Sequence, residues 1–127
     1  MDDMNALVRE YLGTISEKNF ARLRDMLADD VTFAGPAIEI EGAQAYVDAI
    51  RRLAPVLVRN EIRRIFVDGA EACAIYDFVT DTAAGAVRSV EWIKFDGSKI
   101  RSAELVFDQQ MWAAVREELA RRAPVSQ

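Results

Sequence analysis

The sequence of 127 residues contains no histidine and a single cysteine, Cys73. Without histidine, neither a Ser-His nor a Cys-His nucleophile pair can form, and no zinc site can include a histidine ligand. One cysteine cannot form a disulfide framework within the chain, and it fits a reducing compartment. None of the six glycines completes a dinucleotide-binding or phosphate-binding glycine motif. Any chemistry must therefore come from carboxylates, tyrosines, lysines, arginines or water.

Basic residues are also in deficit, with 16 Lys and Arg against 21 Asp and Glu and a net charge of −5. No basic run stands out from this background, which disfavours nucleic acid and anionic membrane surfaces as partners. The N-terminus is acidic and leads into an amphipathic pattern rather than an apolar run, so no signal peptide is expected. No hydrophobic stretch approaches transmembrane length. We therefore expect a cytoplasmic protein, and the sequence implies neither a metal nor an organic cofactor.

The composition that remains, 51% hydrophobic and 29% charged, is that of an ordinary globular protein. A chain of this length is most simply one domain spanning residues 1–127. Apolar residues recur at helical spacing in three upstream segments: residues 3–17, 20–30 and 42–53. Strand-like residues between the second and third helices flank a bend at Gly35-Pro36.

From Val56 onward the hydrophobic period changes to two. Four successive strands are predicted, followed by a last helix capped by Asp108: residues 56–67, 71–82, 86–95, 99–107 and 109–122. Helices first and an antiparallel meander second is an α+β layout. We expect a sheet this long to curl around the N-terminal helices and leave a pocket between helices and sheet.

One carboxylate, Glu91, interrupts the most apolar strand face. Side chains alternate along a strand, so Glu91 shares its face with small or apolar residues: Val87, Ser89, Ile93 and Phe95. Burial of an unpaired charge costs on the order of several kcal/mol unless the group is hydrogen-bonded or protonated. Glu91 is therefore the candidate catalytic residue, as a hydrogen-bond donor or a general acid/base. The competing interpretation is a carboxylate satisfied within a structural network.

The turn at residues 96–98 sets the register around Glu91. A three-residue loop brings the apolar rows of the two strands onto one face and places Glu91 opposite Ala103. A two-residue turn at residues 96–97 would slip the register by one and oppose Glu91 to Ser102. The three-residue loop is predicted because it brings the apolar rows together.

The preceding turn, predicted to centre on Ala83-Ala84, places Tyr76 opposite Glu91 and Phe78 opposite Ser89. Tyr76 is thus another candidate hydrogen-bond donor beside Glu91. The predicted pocket is lined by residues that share the face of Glu91 and is closed by two aromatic residues: Tyr11, Tyr76, Phe78, Ser89, Ala103, Leu105 and Phe107, with Phe33 and Tyr46.

The order of these elements and the local sequence patterns are similar to those of the nuclear transport factor 2-like superfamily. The segments that carry the resemblance are "LVREYLGTISEKNFARLRDMLADDVTF", a following "GP", a helix, and "VEWIKFDGSKIRSAELVFD". This superfamily includes ketosteroid isomerases, SnoaL-like polyketide cyclases, limonene epoxide hydrolase and scytalone dehydratase. The resemblance implies a cone-shaped, curved antiparallel sheet wrapped around N-terminal helices, as in a cystatin-like roll. It also implies cofactor-free isomerisation, cyclisation or dehydration of a small apolar polycyclic or terpenoid substrate.

The resemblance to ketosteroid isomerases also suggests roles for individual residues. Those enzymes have a tyrosine and a protonated aspartic acid that donate hydrogen bonds to the substrate oxyanion, and a second aspartate as base. Tyr11 in "VREYL" matches the tyrosine, and Glu91 in "VEWIKF" matches the acid with one more methylene. The base position, just before Pro36, is occupied by Gly35, so proton shuttling as in that family is not expected.

Other patterns of the superfamily are incomplete in this chain. Scytalone dehydratase and SnoaL-like cyclases use a histidine, and limonene epoxide hydrolase would need a carboxylate where Leu105 lies and an arginine where Ile75 lies. The alternatives to an isomerase or cyclase are therefore a non-catalytic small-molecule-binding or dimerisation module, or an epoxide-opening hydrolase or cyclase.

The opposite face of the predicted sheet mixes charged residues with apolar ones, including Val90 and Trp92. Such a mixed face is typical of a subunit interface, and related proteins often dimerise through this surface. We therefore expect a homodimer with Trp92 in its interface.

Overall fold

The structure, a computed structural model, describes residues 3–36 and 38–123. The helices in these ranges are α1 (Met4–Ser16), α2 (Phe20–Asp25), α3 (Ala43–Leu53) and α4 (Gln109–Arg122). The strands are β1 (Leu27–Gly35), β2 (Ile38–Glu41), β3 (Leu57–Asp68), β4 (Glu71–Thr80), β5 (Ala86–Asp96) and β6 (Lys99–Phe107). Within the described ranges, no helix has both the length and the apolar character needed to cross a bilayer.

The six strands form one curved, unclosed sheet in the order β2-β1-β6-β5-β4-β3. Strands β3 to β6 form the predicted antiparallel meander, whereas β1 runs parallel to β6 and β2 antiparallel to β1. Buried residues of α1 and α3 pack with the inner face of the sheet to form the core. The predicted α+β layout, with N-terminal helices against a curved sheet, is confirmed.

The second helix is shorter than predicted, because α2 ends at Asp25 rather than near residue 30. Leu27, which helical spacing had placed on this helix, begins β1 and pairs with Ile100. The backbone N–H of Ile100 also donates to the carbonyl oxygen of Met26 at 2.8 Å. The parallel pairing with β6 therefore draws this segment into the sheet at the point where the helical pattern could have continued.

The hairpin between β5 and β6 differs from the predicted register, because Glu91 lies opposite Leu105 rather than Ala103. The strands are joined by a two-residue turn, Gly97-Ser98, in which Gly97 has a φ of +61°. Positive φ at such a turn favours glycine. A bulge then leaves Arg101 unpaired on β6. The bulge inserts one residue, so the apolar row of β6 still falls on the face of Glu91.

The pairing of β4 with β5 is also shifted by two residues from the prediction. Tyr76 lies opposite Ser89, Phe78 opposite Val87, and Ala74 opposite Glu91. The backbone N–H and the hydroxyl of Thr80 both donate to the carbonyl oxygen of Gly85, each at 2.8 Å. These bonds close the turn one residue earlier than predicted, which moves the pairing by two and leaves the faces unchanged.

Candidate functional site

Glu91 lies at the centre of β5 and is only 2% exposed. Its two carboxyl oxygens each accept a phenolic hydrogen bond, from Tyr11 to Oε2 at 2.6 Å and from Tyr76 to Oε1 at 2.8 Å. The hydroxyl of Tyr46 forms a short hydrogen bond with the hydroxyl of Tyr11. The three tyrosines of the sequence therefore belong to one hydrogen-bonded cluster with Glu91.

Three separate elements bring these tyrosines to Glu91. Tyr11 comes from the buried stripe of α1, and Tyr46 from the buried face of α3. Tyr76 lies on β4 two residues beyond Ala74, the residue directly opposite Glu91. A diagonal neighbour of this kind is within reach of a long aromatic side chain. Helix packing over the sheet therefore supplies two donors and cross-strand geometry supplies the third.

Burial controls the ionisation of this carboxyl. Removal from water is the largest effect and raises the pKa of Glu91, while the hydrogen bonds from Tyr11 and Tyr76 act against it by stabilising the charged form. Among the described residues, no arginine or lysine forms an ion pair with Glu91; Arg88, on the same strand, pairs with Asp77 on the opposite face. The neutral acid is therefore favoured over a wider pH range than in a solvent-exposed glutamate.

Burial also raises the pKa of all three tyrosines well above their usual range, with the nearby Glu91 charge raising it further. Their hydroxyl groups consequently keep their protons across the physiological pH range. Within this cluster they act as hydrogen-bond donors and acceptors, and Glu91 is the group whose protonation can change.

Glu91 reaches a cavity of about 820 Å³ between the sheet, α3 and α4. Most of the lining is apolar, and the polar groups near Glu91 are the hydroxyls of Tyr46, Tyr76 and Ser89. A large apolar cavity with a few convergent polar groups is the usual form of a small-molecule site. The cavity includes seven of the nine residues predicted as its lining: Phe33, Tyr46, Tyr76, Phe78, Ser89, Leu105 and Phe107.

Two residues of the predicted pocket do not line this cavity. Tyr11 is fully buried behind Glu91 and contacts Tyr46, so it supports the site without facing its space. Ala103 lies opposite Ile93 in the core, two pairs closer to the turn of the hairpin, because of the register shift that places Leu105 beside Glu91.

The last helix contributes a side of the cavity that sequence reasoning missed. Trp112 packs against Phe78 and Phe107, with ring centroids 5.5 and 4.9 Å away. Arg116 and Leu119 follow it on the same side of α4 and also line the cavity. Their spacing of four and seven residues from Trp112 was the available signal, since such residues share one helical face.

Two further features of the lining bear on chemistry. Gly35 stands at the family's base position and faces the cavity, and a Cβ there would lie 3.3 Å from the Ile38 side chain. Glu91 is accordingly the one carboxylate among the described lining residues. Asn60 donates its amide to the carbonyl oxygen of Leu12 at 3.3 Å, while its own buried oxygen has no partner among the described residues.

No group of three or more potential metal ligands (His, Cys, Asp or Glu) occurs in residues 3–36 and 38–123.

The outer face of the sheet carries a separate polar network. Asp77 is buried there between Arg63 and Arg88, with contacts of 2.6 and 2.5 Å. Trp92 points to the same side, is 42% exposed and donates to Glu71 at 2.8 Å.

Comparison with solved structures gives many similar folds at low sequence identity. A nuclear transport factor 2-like protein of unknown function from Cytophaga hutchinsonii is 21% identical, with a TM-score of 0.75 over 87% of this chain and 94% of that chain. A candidate ketosteroid isomerase from Kribbella flavida is 18% identical, with a TM-score of 0.71 over 81% and 76% of the two chains. A candidate SnoaL-like polyketide cyclase from Shewanella denitrificans is 15% identical, with a TM-score of 0.74 over 90% and 96%.

A search of curated protein sequences gives no significant match. The sequence model of the SnoaL-like domain matches residues 8–103, from α1 into β6. This range contains Glu91, the three tyrosines and most of the cavity. The chain therefore belongs to the SnoaL-like domain family, within the nuclear transport factor 2-like superfamily.

Proposed function

We propose that this protein is a cofactor-free enzyme that carries out acid/base chemistry on a small apolar molecule with a carbonyl or hydroxyl oxygen. The reaction class is isomerisation, cyclisation or dehydration, and a polycyclic or terpenoid substrate suits the size and apolar lining of the cavity. The observation that carries the proposal is Glu91, a carboxyl held by two tyrosines at the cavity wall with no ion-pair partner among the described residues.

Glu91 is the proton-transfer group in this proposal. In its neutral form the carboxyl donates a proton to a substrate oxygen, and the electron pair of the broken O–H bond stays on the carboxylate. The phenols of Tyr11 and Tyr76 already point at the two carboxyl oxygens, so they stabilise the charge that this transfer creates. Burial raises the pKa of Glu91, and these hydrogen bonds oppose only part of the rise. The remaining rise brings the pKa of the acid closer to the working pH.

The tyrosines have distinct positions relative to a bound substrate. Tyr76 and Tyr46 line the cavity and can donate to a substrate oxygen beside Glu91, whereas Tyr11 connects Glu91 to Tyr46 from behind. We assign substrate contact to Glu91, Tyr46 and Tyr76, and positioning of Glu91 and Tyr46 to Tyr11.

Gly35 favours a second candidate function, a non-catalytic ligand-binding module. With Gly35 in place of the family's base, the described lining offers no second carboxylate to remove a proton from carbon. An epoxide-opening activity of the limonene type has less support, because Leu105 stands where that pattern needs a carboxylate. Ile75, opposite Val90 on the outer side of the sheet, stands where it needs an arginine.

Binding of 2-naphthol, a mimic of an enol or enolate, tests the role of Glu91. We expect Glu91→Gln to retain most of the affinity, because the amide still donates one hydrogen bond, and Glu91→Leu to lose at least about tenfold, equivalent to one hydrogen bond to a charged group. Calorimetric titration from pH 5 to 9 measures both. An equal loss of affinity in the Gln and Leu variants would contradict the role of Glu91 as a neutral hydrogen-bond donor. Tighter binding of naphtholate after removal of the carboxylate would contradict it as well.

Turnover separates the enzyme from the binding module. Wild-type protein and Glu91→Gln are incubated in D₂O with a β,γ-unsaturated ketone, and deuterium entry and product formation are followed by NMR. An enzyme of the proposed kind loses at least about a hundredfold in rate in the Gln variant, while the matched surface variant Glu17→Gln keeps the rate. Glu17 is exposed at the C-terminal end of α1, so this control removes the same charge away from both the cavity and the outer sheet face. Tight binding without turnover of ketone, alcohol or polyketide-like substrates would favour the module.

A further inference from the structure

Arginines are concentrated at one end of the cavity, although the chain is acidic overall. The described lining includes Arg52, Arg116 and Arg122, with Glu91 as its one carboxylate. Arg122 is neutralised by Asp81 at 2.9 Å and Glu118 at 2.7 Å. Arg52 and Arg116 are exposed and form no ion pair with any described carboxylate. Two uncompensated positive charges therefore border an otherwise apolar space.

These arginines lie away from the Glu91 end. Arg52 follows Tyr46 by six residues on α3, which separates them by about 9 Å along the helix. On α4, Arg116 lies one turn beyond Trp112, whose ring packs on Phe78. Phe78 is itself two residues from Tyr76, or roughly 7 Å along β4. The cavity thus has a neutral hydrogen-bonding end and, on the order of 10 Å away, a cationic rim.

We propose that the ligand of this cavity is an amphiphilic carboxylate, with its reactive oxygen at Glu91 and its carboxylate between Arg52 and Arg116. This inference names the substrate class of the proposed function and rests on the same cavity. A guanidinium group presents paired N–H donors that match the two oxygens of a carboxylate. Arg52 on α3 and Arg116 on α4 would bind the carboxylate from two sides of the rim. The apolar body of the ligand would then lie between Phe78, Phe107 and Leu105.

The test uses ω-(4-hydroxyphenyl)alkanoates with chains of three, five and eight carbons, each beside its methyl ester. Each acid and ester pair shares the phenol and the apolar body and differs in charge at one end. At pH 7.5 and low salt we expect one chain length to bind about tenfold tighter as the acid. Arg52→Gln and Arg116→Gln should each reduce this preference about threefold, and the double variant should abolish it. Added salt at about 0.5 M should also reduce it.

Two matched variants control for net charge. Arg51→Gln removes the charge of the residue next to Arg52, and the guanidinium of Arg51 stacks on Phe20. Arg121→Gln removes a charge that is paired with Glu118. Neither Arg51 nor Arg121 lines the cavity. Both controls should keep the acid preference. Esters that bind as tightly as acids, or control variants as damaging as Arg52→Gln and Arg116→Gln, would overturn the inference.

Glu91→Leu, measured with the same ligands, distinguishes the two proposals. If Glu91 binds the phenol, this variant weakens acid and ester equally and leaves their ratio unchanged. If Glu91→Leu changes neither affinity while the arginine variants abolish the ratio, the role assigned to Glu91 fails and the carboxylate site stands.

Discussion

The pH dependence of stability gives a quantitative test of the buried Glu91 carboxyl. An exposed glutamate has a pKa of about 4.3, and burial raises the folded-state pKa of Glu91 above its unfolded value. A raised carboxyl pKa contributes stability that is complete below the unfolded pKa and is lost as pH rises through the folded pKa. Each unit of upward shift costs the wild-type protein about 1.4 kcal/mol at pH values above both pKa values.

The substitution Glu91→Gln removes this cost without emptying the site. Glutamine can still hydrogen-bond to Tyr11 and Tyr76, so we expect similar stability to wild type near pH 4.5. Between pH 4.5 and 8.5 the Gln variant should gain stability relative to wild type, by up to about 1.4 kcal/mol for each unit by which burial raises the pKa of Glu91. With a urea m-value of about 1–3 kcal/mol/M, each unit of upward shift should separate the midpoints at high pH by up to roughly 0.5–1.4 M.

Urea denaturation at five pH values between 4.5 and 8.5 measures this difference. Other carboxyl groups titrate equally in both proteins and cancel in the comparison. Glu91→Leu should be destabilised at every pH by about 1–3 kcal/mol, because the Tyr76 hydroxyl loses its buried acceptor. Glu17→Gln should follow the wild-type curve. A difference between Glu91→Gln and wild type that does not change with pH would refute a raised pKa.

Three further predictions concern the outer face and the tyrosine cluster. We propose a homodimer through the outer sheet face, so light scattering should give a dimer at tens of micromolar and a monomer for Trp92→Glu; a monomeric wild type would contradict it. Arg88 and Arg63 lower the pKa of Asp77, so its contribution should be present at pH 7 and be lost as pH falls below about 4. Asp77→Asn should therefore cost about 1 kcal/mol in urea denaturation at pH 7, since the arginines are half exposed, and little at pH 3; an equal loss at both pH values would rule out the ion pairs. Tyr46→Phe should keep the packing on Phe33 and weaken 2-naphthol binding about fivefold in calorimetry; unchanged affinity would mean that its hydroxyl faces no ligand.

Sequence reasoning identified the face of the sheet correctly and the register incorrectly. Alternation assigns Glu91, Leu105 and Phe107 to one side whatever the partner strand, because a shift of two residues leaves every side chain on its face. The exact pairing depended on Gly97 taking a left-handed conformation and on the bulge at Arg101. Several combinations of turn and bulge give the same parity, so the pattern of residues could not select among them.

The tyrosine cluster was predictable in part. Helical spacing placed Tyr11 on a buried stripe, and alternation placed Tyr76 on the face of Glu91. Tyr11 and Tyr46 are 35 residues apart in the sequence and lie on two different helices. Their contact therefore depends on how both helices pack on the sheet. The contribution of α4 likewise follows from its docking through Trp112 and Arg122, the latter bound to Asp81 and to the Pro55 carbonyl oxygen. Helical spacing shows which residues of α4 share one face, but no local pattern in the sequence shows where that face packs.

The protonation of Glu91 in the presence of a ligand tests the central claim most directly. Protein labelled with ¹³C in the glutamate side chains, compared with Glu91→Gln to assign the resonance, gives the titration of the Glu91 carboxyl carbon by NMR. The account predicts a midpoint above about 4.3 in the free protein and a further change when 2-naphthol binds. A carboxyl that is ionised throughout, with a midpoint at or below that value and no response to the ligand, would contradict it.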